Sequence, residues 1–311
     1  MDFRLTDDQR ALRSGVRELL AGRFGREALR TAVDREGRLD RGLWRELGRA
    51  GLFALRLPER DGGAGLGLPE AVLAFEEAGR VLLPGPLVAT HLAAGLVPGA
   101  ADGATIVTCA GQLGPLIQHF EDADAAVGFA ADGSLRLLEA GGPAPVRSLD
   151  PLTPLHRLAR PPRPAAPGPL LGAGVLLTAA EQLGSAARST EEAVRHAKGR
   201  VQFGQPIGAF QAVKHLCAQM LVRTEVARAA VYAAAVGEDL TEIAGAKLLA
   251  DEAAVRGARD CLQVFGGTGF TWEADVHLHL KRSLLRAQMW LTTAQAEEVQ
   301  AQALAGGPVR P

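Results

Sequence analysis

The chain reads as a mainly α-helical protein with a reduced β region in its middle and a C-terminal four-helix bundle. Three observations carry that reading. Residues from about Thr6 to His91 and again from Leu170 to about Ala305 show apolar residues at helical spacing. Between them, from about Gly103 to Leu158, short apolar or alternating runs are separated by Asp-Gly and Gly-Gly turns. A proline-rich stretch, Arg160 to Pro169, then separates the β-like region from the last helices. The expected division is residues 1–98, an N-terminal helical domain; 99–168, a small β domain with its linker; and 169–311, the bundle.

Each element has a local reason. Thr6 caps a first helix carrying Leu12, Val16, Leu19 and Leu20. A second helix, near Leu43 to Ala50, stops at Gly51. A loop over Pro58 to Gly67 leads into a third helix with Leu73, Phe75, Ala78 and Val81 inward, closed by Pro84-Gly85-Pro86. Strands are expected at Thr105–Cys109, Ala125–Phe129 and Ser134–Leu138. In the last part, Phe210, Val213, Cys217, Met220, Leu221, Ala227 and Val231 form one stripe. Ala246, Ala250, Ala253, Gly257 and Cys261 form another, small enough for two helices to approach closely. No repeat is evident.

Bulk properties exclude several functions. At 311 residues and a net charge of −1, the chain has no electrostatic case for nucleic acid or an anionic membrane. Cys109, Cys217 and Cys261 lack metal-ligand spacing and read as core residues of a reducing compartment. The N-terminus carries no apolar signal core, and no apolar run approaches the roughly 20 residues that span a bilayer, so a cytoplasmic location is expected. Gly63-Ala64-Gly65-Leu66-Gly67 lacks phosphate-loop spacing and is a plain connection. His277 and His279, two apart on a helix, face different ways and make a poor metal pair. The remaining histidines are scattered, and no Ser-His-Asp or Cys-His set can be assembled.

Two motifs carry chemistry. In Arg200-Val201-Gln202-Phe203-Gly204-Gln205-Pro206-Ile207-Gly208-Ala209-Phe210-Gln211, a permanently charged guanidinium with a planar donor fork suits a phosphate oxygen pair. In Gln263-Val264-Phe265-Gly266-Gly267-Thr268-Gly269-Phe270, adjacent glycines let backbone amides approach an anion. Either motif alone is as well explained by a surface charge or an interhelical turn. Two of them in one bundle, each with glutamines that bond in two directions, point to a dinucleotide site built on helices.

These segments resemble the C-terminal helical domain of the acyl-CoA dehydrogenases, matching the patterns Arg-x-x-Phe-Gly-x-x-Ile-x-x-x-Gln and Gln-x-x-Gly-Gly-x-Gly-Phe/Tyr. Trp44 to Gly48, Leu57-Pro58-Glu59 and Phe75 to Arg80 agree in the N-terminal half. The resemblance implies FAD as cofactor, with Arg200, Gln202, Phe203 and Gln211 clamping its pyrophosphate and Gln263, Gly266 and Gly267 lying against its adenosine. Lys214 and Arg282 read as surface charges. The flavin-ring segments of the family's middle domain, of Thr-Glu-Pro…Gly-Ser-Asp and Trp-x-Thr/Ser-Asn type, are absent, and Ser148-Leu149-Asp150 does not replace them.

The family's reaction needs a carboxylate to take the proton α to a thioester. Its two known positions, about two dozen residues after the Gly-Gly turn or before the arginine, fall here near Trp290 and Gly174, which cannot act as bases. Glu181, two turns on, reads as part of an exposed helix face. The pattern is similar to the subunit of α2β2 acyl-CoA dehydrogenases that completes the FAD site of a catalytic partner chain. That implies an acyl-CoA substrate, a 2,3-enoyl-CoA product and an electron-transfer flavoprotein as acceptor, with steroid side chains or polyketide intermediates as plausible acyl groups. A self-sufficient homo-oligomer with an unrecognised base, or a flavin-free scaffold, remain alternatives.

Overall fold

The computed structural model describes residues 4–139, 141–160, 162 and 168–306. Most of the proline-rich stretch expected between Arg160 and Pro169 lies outside the described residues. Five helices come first: α1 (Asp7–Arg23), α2 (Arg26–Asp34), α3 (Arg41–Arg49), α4 (Leu68–Arg80) and α5 (Leu87–Ala93). Thr6 does cap α1, in a reciprocal box with Gln9. α2 was not expected; a break at Phe24-Gly25 separates it from α1. Leu73, Phe75 and Ala78 face the core as expected.

The middle holds two small three-stranded sheets. In the first, β1 (Val107–Cys109) pairs in parallel with β3 (Ala125–Phe129), which pairs antiparallel with β4 (Leu135–Leu137). In the second, β6 (Leu155–Arg157) lies between β2 (Leu116–Gln118) and β5 (Ala144–Val146), all antiparallel. The second sheet escaped the sequence reading because its strands have three residues each and no measurable alternation. Pro145 sits on the edge strand β5, where a missing amide is tolerated.

The bundle comprises α6 (Pro169–Gly199), α7 (Gln211–Gly237), α8 (Leu240–Phe265), α9 (Val276–Arg286) and α10 (Thr293–Leu304). A two-stranded hairpin, β7 (Val201–Gln202) and β8 (Gln205–Pro206), joins α6 to α7. The small-residue stripe of α8 is wholly buried. α6 also crosses α4 closely: side chains on Gly79 and Gly184 would run into the backbone at Glu181 and Glu76. One apolar core runs from Leu20 and Phe53 through Ile106 and Val127 to Leu176 and Ala250. α6 is long and apolar enough to cross a membrane by composition, contrary to the sequence expectation. Yet 94% of that window is packed inside the protein, which identifies it as a core helix.

Candidate functional site

Both dinucleotide motifs lie at one end of the bundle. The hairpin turns through Phe203 (φ 53°) and Gly204 (φ 80°), a two-residue turn whose positive dihedrals match the twist of its strands. Phe203 therefore stands at the tip with its ring 91% exposed, edge-on to Phe210 at 6.0 Å. A bulky residue in this region is strained, a feature that clusters at functional positions. Arg200, at the end of α6, is exposed and makes no side-chain hydrogen bond or ion pair among the described residues. Gln202 is exposed, with Nε2 donating to the Val201 carbonyl at 2.7 Å. Gln211 is the exposed first residue of α7, whose leading amides receive no side-chain cap.

The second motif ends α8. Gln263 is exposed in its last turn, and Gly266 adopts φ 62° and ψ −146°, a conformation confined to glycine. Nothing within 4 Å would meet a side chain at Gly266 or Gly267, so their backbone faces open space. The two motifs share a foundation. Ile207, Val213 and Leu216 pack into the same apolar cluster as Leu262, Val264 and Phe265, and His196 stacks on Phe265 at 4.0 Å. Burial, and then the Arg200 charge, lower the His196 pKa. All seven predicted residues are thus exposed at one end of one bundle, resting on a common core. The structure brings them to the same end without direct contact between the two groups among the described residues.

The positions where a base is expected lie elsewhere, and they face each other. A Cβ built on Gly174 of α6 would lie 2.6 Å from Cζ3 and 2.8 Å from Cδ2 of the Trp290 ring. Trp290, between α9 and α10, is 6% exposed and edge-on to Phe129 of β3 at 6.0 Å. Its backbone amide donates to the Gln112 carbonyl at 2.6 Å. The indole therefore fills the volume that a side chain at 174 would enter, and neither position holds a carboxylate.

Three sequence expectations fail here. Glu181 is not on an exposed face: it is buried, and Arg286 donates to its carboxylate at 2.8 Å. Burial raises its pKa, opposed by the charges of Arg286 and Arg282. Held in that pair, Glu181 is a structural group. Arg282 is not a surface charge: it is buried against Asp150 and donates to the Leu83 carbonyl at 3.2 Å, tying α9 to the middle region and to the end of α4. Leu221, expected in the core stripe of α7, is 53% exposed. Sequence spacing also missed a buried network in which Lys247 pairs with Asp251, and Gln182 bonds Asp251 and the Ser283 carbonyl, each at 2.9 Å. An i,i+4 Lys-Asp pair ordinarily marks a surface, so no sequence signal distinguished it. His277 and His279 are both buried, and no cluster of potential metal ligands occurs among the described residues.

Comparison with known proteins identifies the family and the fold. Residues 6–103 match the model of the acyl-CoA dehydrogenase N-terminal domain, and residues 170–305 that of the C-terminal domain. The chain is 37% identical over 295 residues to acyl-CoA dehydrogenase IpdE2 of Mycobacterium tuberculosis, covering 91% of this chain and 93% of that protein. It is 34% identical to FadE34 of the same organism, covering 90% of this chain but 45% of FadE34. Its fold superimposes on one chain of the ChsE4–ChsE5 complex of M. tuberculosis with a TM-score of 0.84 at 24% identity, covering 99% of this chain and 100% of that one. It also superimposes on a chain of the Tcur3481–Tcur3483 steroid acyl-CoA dehydrogenase variant, again at 0.84 and 24%, covering 96% of this chain and 98% of that one. By its matched domains, its near-full-length relatives and its fold, the chain belongs to the acyl-CoA dehydrogenase family, oxidoreductases acting on CH–CH bonds.

Proposed function

We propose that this chain is the subunit of a heteromeric acyl-CoA dehydrogenase that holds the ADP half of an FAD whose ring, and whose catalytic base, belong to a partner chain. The observation that carries this reading is the Gly174–Trp290 contact. Both family positions for the base are lost, and each has lost it in a way that fits the other. With the indole packed over Gly174 and no carboxylate at either position, this chain offers no base there, and proton removal demands one within about 3 Å.

Family members typically bind FAD, and the residues present fit one end of it. The unpaired guanidinium of Arg200, the open backbone at Gly266-Gly267 and the uncapped start of α7 are donors suited to a pyrophosphate. They do not fit the ring end. The flavin, when bound, would accept the hydride leaving the β-carbon of the acyl group. This chain's part would be to bind and orient: Arg200 neutralises the phosphates, Gln202, Gln211 and Gln263 offer amides, and Phe203 covers the nucleotide from the hairpin tip.

The partner reading gains support from two sides. The superimposed structures include complexes named for two chains, and FadE34 devotes less than half its length to the region this chain matches. An α2β2 assembly converting an acyl-CoA to its 2,3-enoyl-CoA, with an electron-transfer flavoprotein as acceptor, follows the family's chemistry. A steroid-derived acyl group follows the steroid acyl-CoA dehydrogenase among the structural neighbours. The test is Arg200→Ala in the complex formed by co-expression with an acyl-CoA dehydrogenase-like partner. A lost charged hydrogen bond should weaken flavin retention by about 10–100-fold while the two chains still co-purify. Unchanged flavin content would refute the clamp.

A further inference from the structure

A cleft of about 590 Å³ opens where α1, α2, α4, α6 and the start of α9 meet, within the range of volumes that hold small ligands. None of the seven residues proposed for the nucleotide lines it, and neither Gly174 nor Trp290 does. Its apolar wall comes from Leu20 and Phe24 of α1, Leu29 of α2, Val81 after α4, and Phe265 and Val276. α2 is fastened to the start of α9 by Arg26, which donates to Asp275 at 2.6 Å and to the Glu273 carbonyl at 2.8 Å.

The polar wall is a network of ion pairs whose charges do not balance. Arg17 and Arg80 pair with Glu77, Arg80 and Arg188 with Glu191, and Arg188 and Arg195 with Glu192. Four guanidiniums thus share three carboxylates. Burial lowers the Arg188 pKa, opposed by Glu191 and reinforced by Arg80, as expected of a cation short of counter-charge. Beside them His279 lines the cleft and is 6% exposed. Its Nδ1 lies 2.7 Å from the Ser185 hydroxyl, and its Nε2 has no partner among the described residues. Burial first, and then the charges of Arg188, Arg286, Arg282 and Arg80, lower its pKa to about 3, so the ring is neutral at pH 7 and sits in a positive field. A neutral ring that accepts from Ser185 has an N–H at Nε2 to offer. A set of ion pairs that only joins helices needs neither a spare cation nor an open donor on a buried ring, and buried polar groups are rarely left unpaired.

We infer that this cleft is a further ligand site, which takes a small amphipathic carboxylate: Arg80, Arg188 and His279 hold its head, and its apolar body lies along Leu20, Phe24 and Val276. A carboxylate supplies the missing negative charge together with two acceptor oxygens, which a guanidinium fork matches. An inorganic anion would leave the apolar wall uncovered, and an uncharged lipid would leave the spare cation without a partner.

The experiment is titration calorimetry at neutral pH on the purified full chain, with octanoate, 1-octanol and inorganic phosphate as probes, repeated on Arg188→Gln and Ala21→Trp variants. Ala21 is an exposed residue of α1 that lines the cleft, so an indole there fills the space without removing a charge. Neither variant alters a fully buried position, and both should match the wild type by circular dichroism. The expected result is one octanoate bound per chain. Arg188→Gln weakens it at least tenfold through the loss of a charged hydrogen bond, Ala21→Trp removes it, and octanol and phosphate each bind at least tenfold more weakly. No octanoate binding to the wild type overturns the site. Binding that either variant leaves unchanged places the acid elsewhere on the chain and overturns it as well. Octanol binding as tightly as octanoate reduces the cleft to an apolar crevice, and phosphate binding as tightly reduces it to an ion site; either result overturns the proposal. Flavin retention in the complex tests the nucleotide reading separately, whatever octanoate does.

Discussion

Gly174→Ala is the most informative small perturbation of this protein. A methyl group there would meet ring carbons of Trp290 at 2.6 and 2.8 Å, about 1 Å inside ordinary carbon contact distance. The indole has little freedom to retreat, since Phe129 packs on it and the Trp290 amide is bound to the Gln112 carbonyl. Overpacking of this kind costs about 1–3 kcal/mol. In a Trp290→Ala background the obstacle is gone, and only helix propensity remains, which favours alanine over glycine by about 0.8–1 kcal/mol in a helix interior. The same substitution should therefore destabilise the wild type and stabilise the variant. Trp290→Ala by itself should cost about 3–5 kcal/mol, as for other buried aromatic truncations. Urea unfolding followed by far-ultraviolet circular dichroism reads all four corners of the cycle. If Gly174→Ala has the same sign in both backgrounds, the indole does not occupy the volume over Gly174, and the observation that carries the proposed function is lost.

Other outcomes follow from the buried charges. Arg282→Ala strands the fully buried carboxylate of Asp150 and should cost about 3–5 kcal/mol, whereas Arg282→Met with Asp150→Leu should recover most of it; denaturation midpoints of the two decide. Burial lowers the His91 pKa from 6.5 to about 4. Burial, helped by Arg188, Arg286, Arg282 and Arg80, lowers that of His279 to about 3. Both are bases whose folded pKa lies below the unfolded value, so their contribution is intact above about pH 6.5 and declines as the pH falls towards 4 and 3. Each histidine contributes a slope of up to about 1.4 kcal/mol per pH unit, and unfolding midpoints equal at pH 7 and pH 5 would contradict it. Gly266→Ala forces a glycine-only conformation on a residue with a Cβ, at a cost of about 1–3 kcal/mol, and should weaken flavin retention in the complex while leaving partner recovery intact.

The parts of the fold legible in sequence are those decided by local chemistry. Thr6 and Gln9 form the cap of α1 from adjacent residues, and the small-residue stripe of α8 declares its close packing by spacing alone. The turns at Gly204 and Gly266 were legible because glycine suits positive φ, whereas the hairpin around Gly204, with Phe203 also at positive φ, was not expected. The strands β2, β5 and β6 were not, since three residues carry no period. The buried charges were misread for a different reason. Glu181, Arg282 and Lys247 look like surface residues in any window of sequence, and only their partners Arg286, Asp150 and Asp251 permit burial. The site shows the same division. The residues proposed as a cradle could be named from sequence but not placed at one end of the bundle, and the absence of a carboxylate at 174 and 290 could be counted. That these two positions fill each other's space is a fact of packing, visible only once α6 and the α9–α10 connection meet.

In the proposed function this polypeptide grips one end of a nucleotide cofactor and lacks the acid–base group for dehydrogenation. The most direct test is equilibrium dialysis of the purified chain against FAD, with flavin bound per chain compared before and after the partner is added. Binding too weak to survive gel filtration in the chain alone, rising to firm retention in the complex, is the result expected. One firmly held FAD per chain without any partner, bleached on addition of an acyl-CoA, would contradict it.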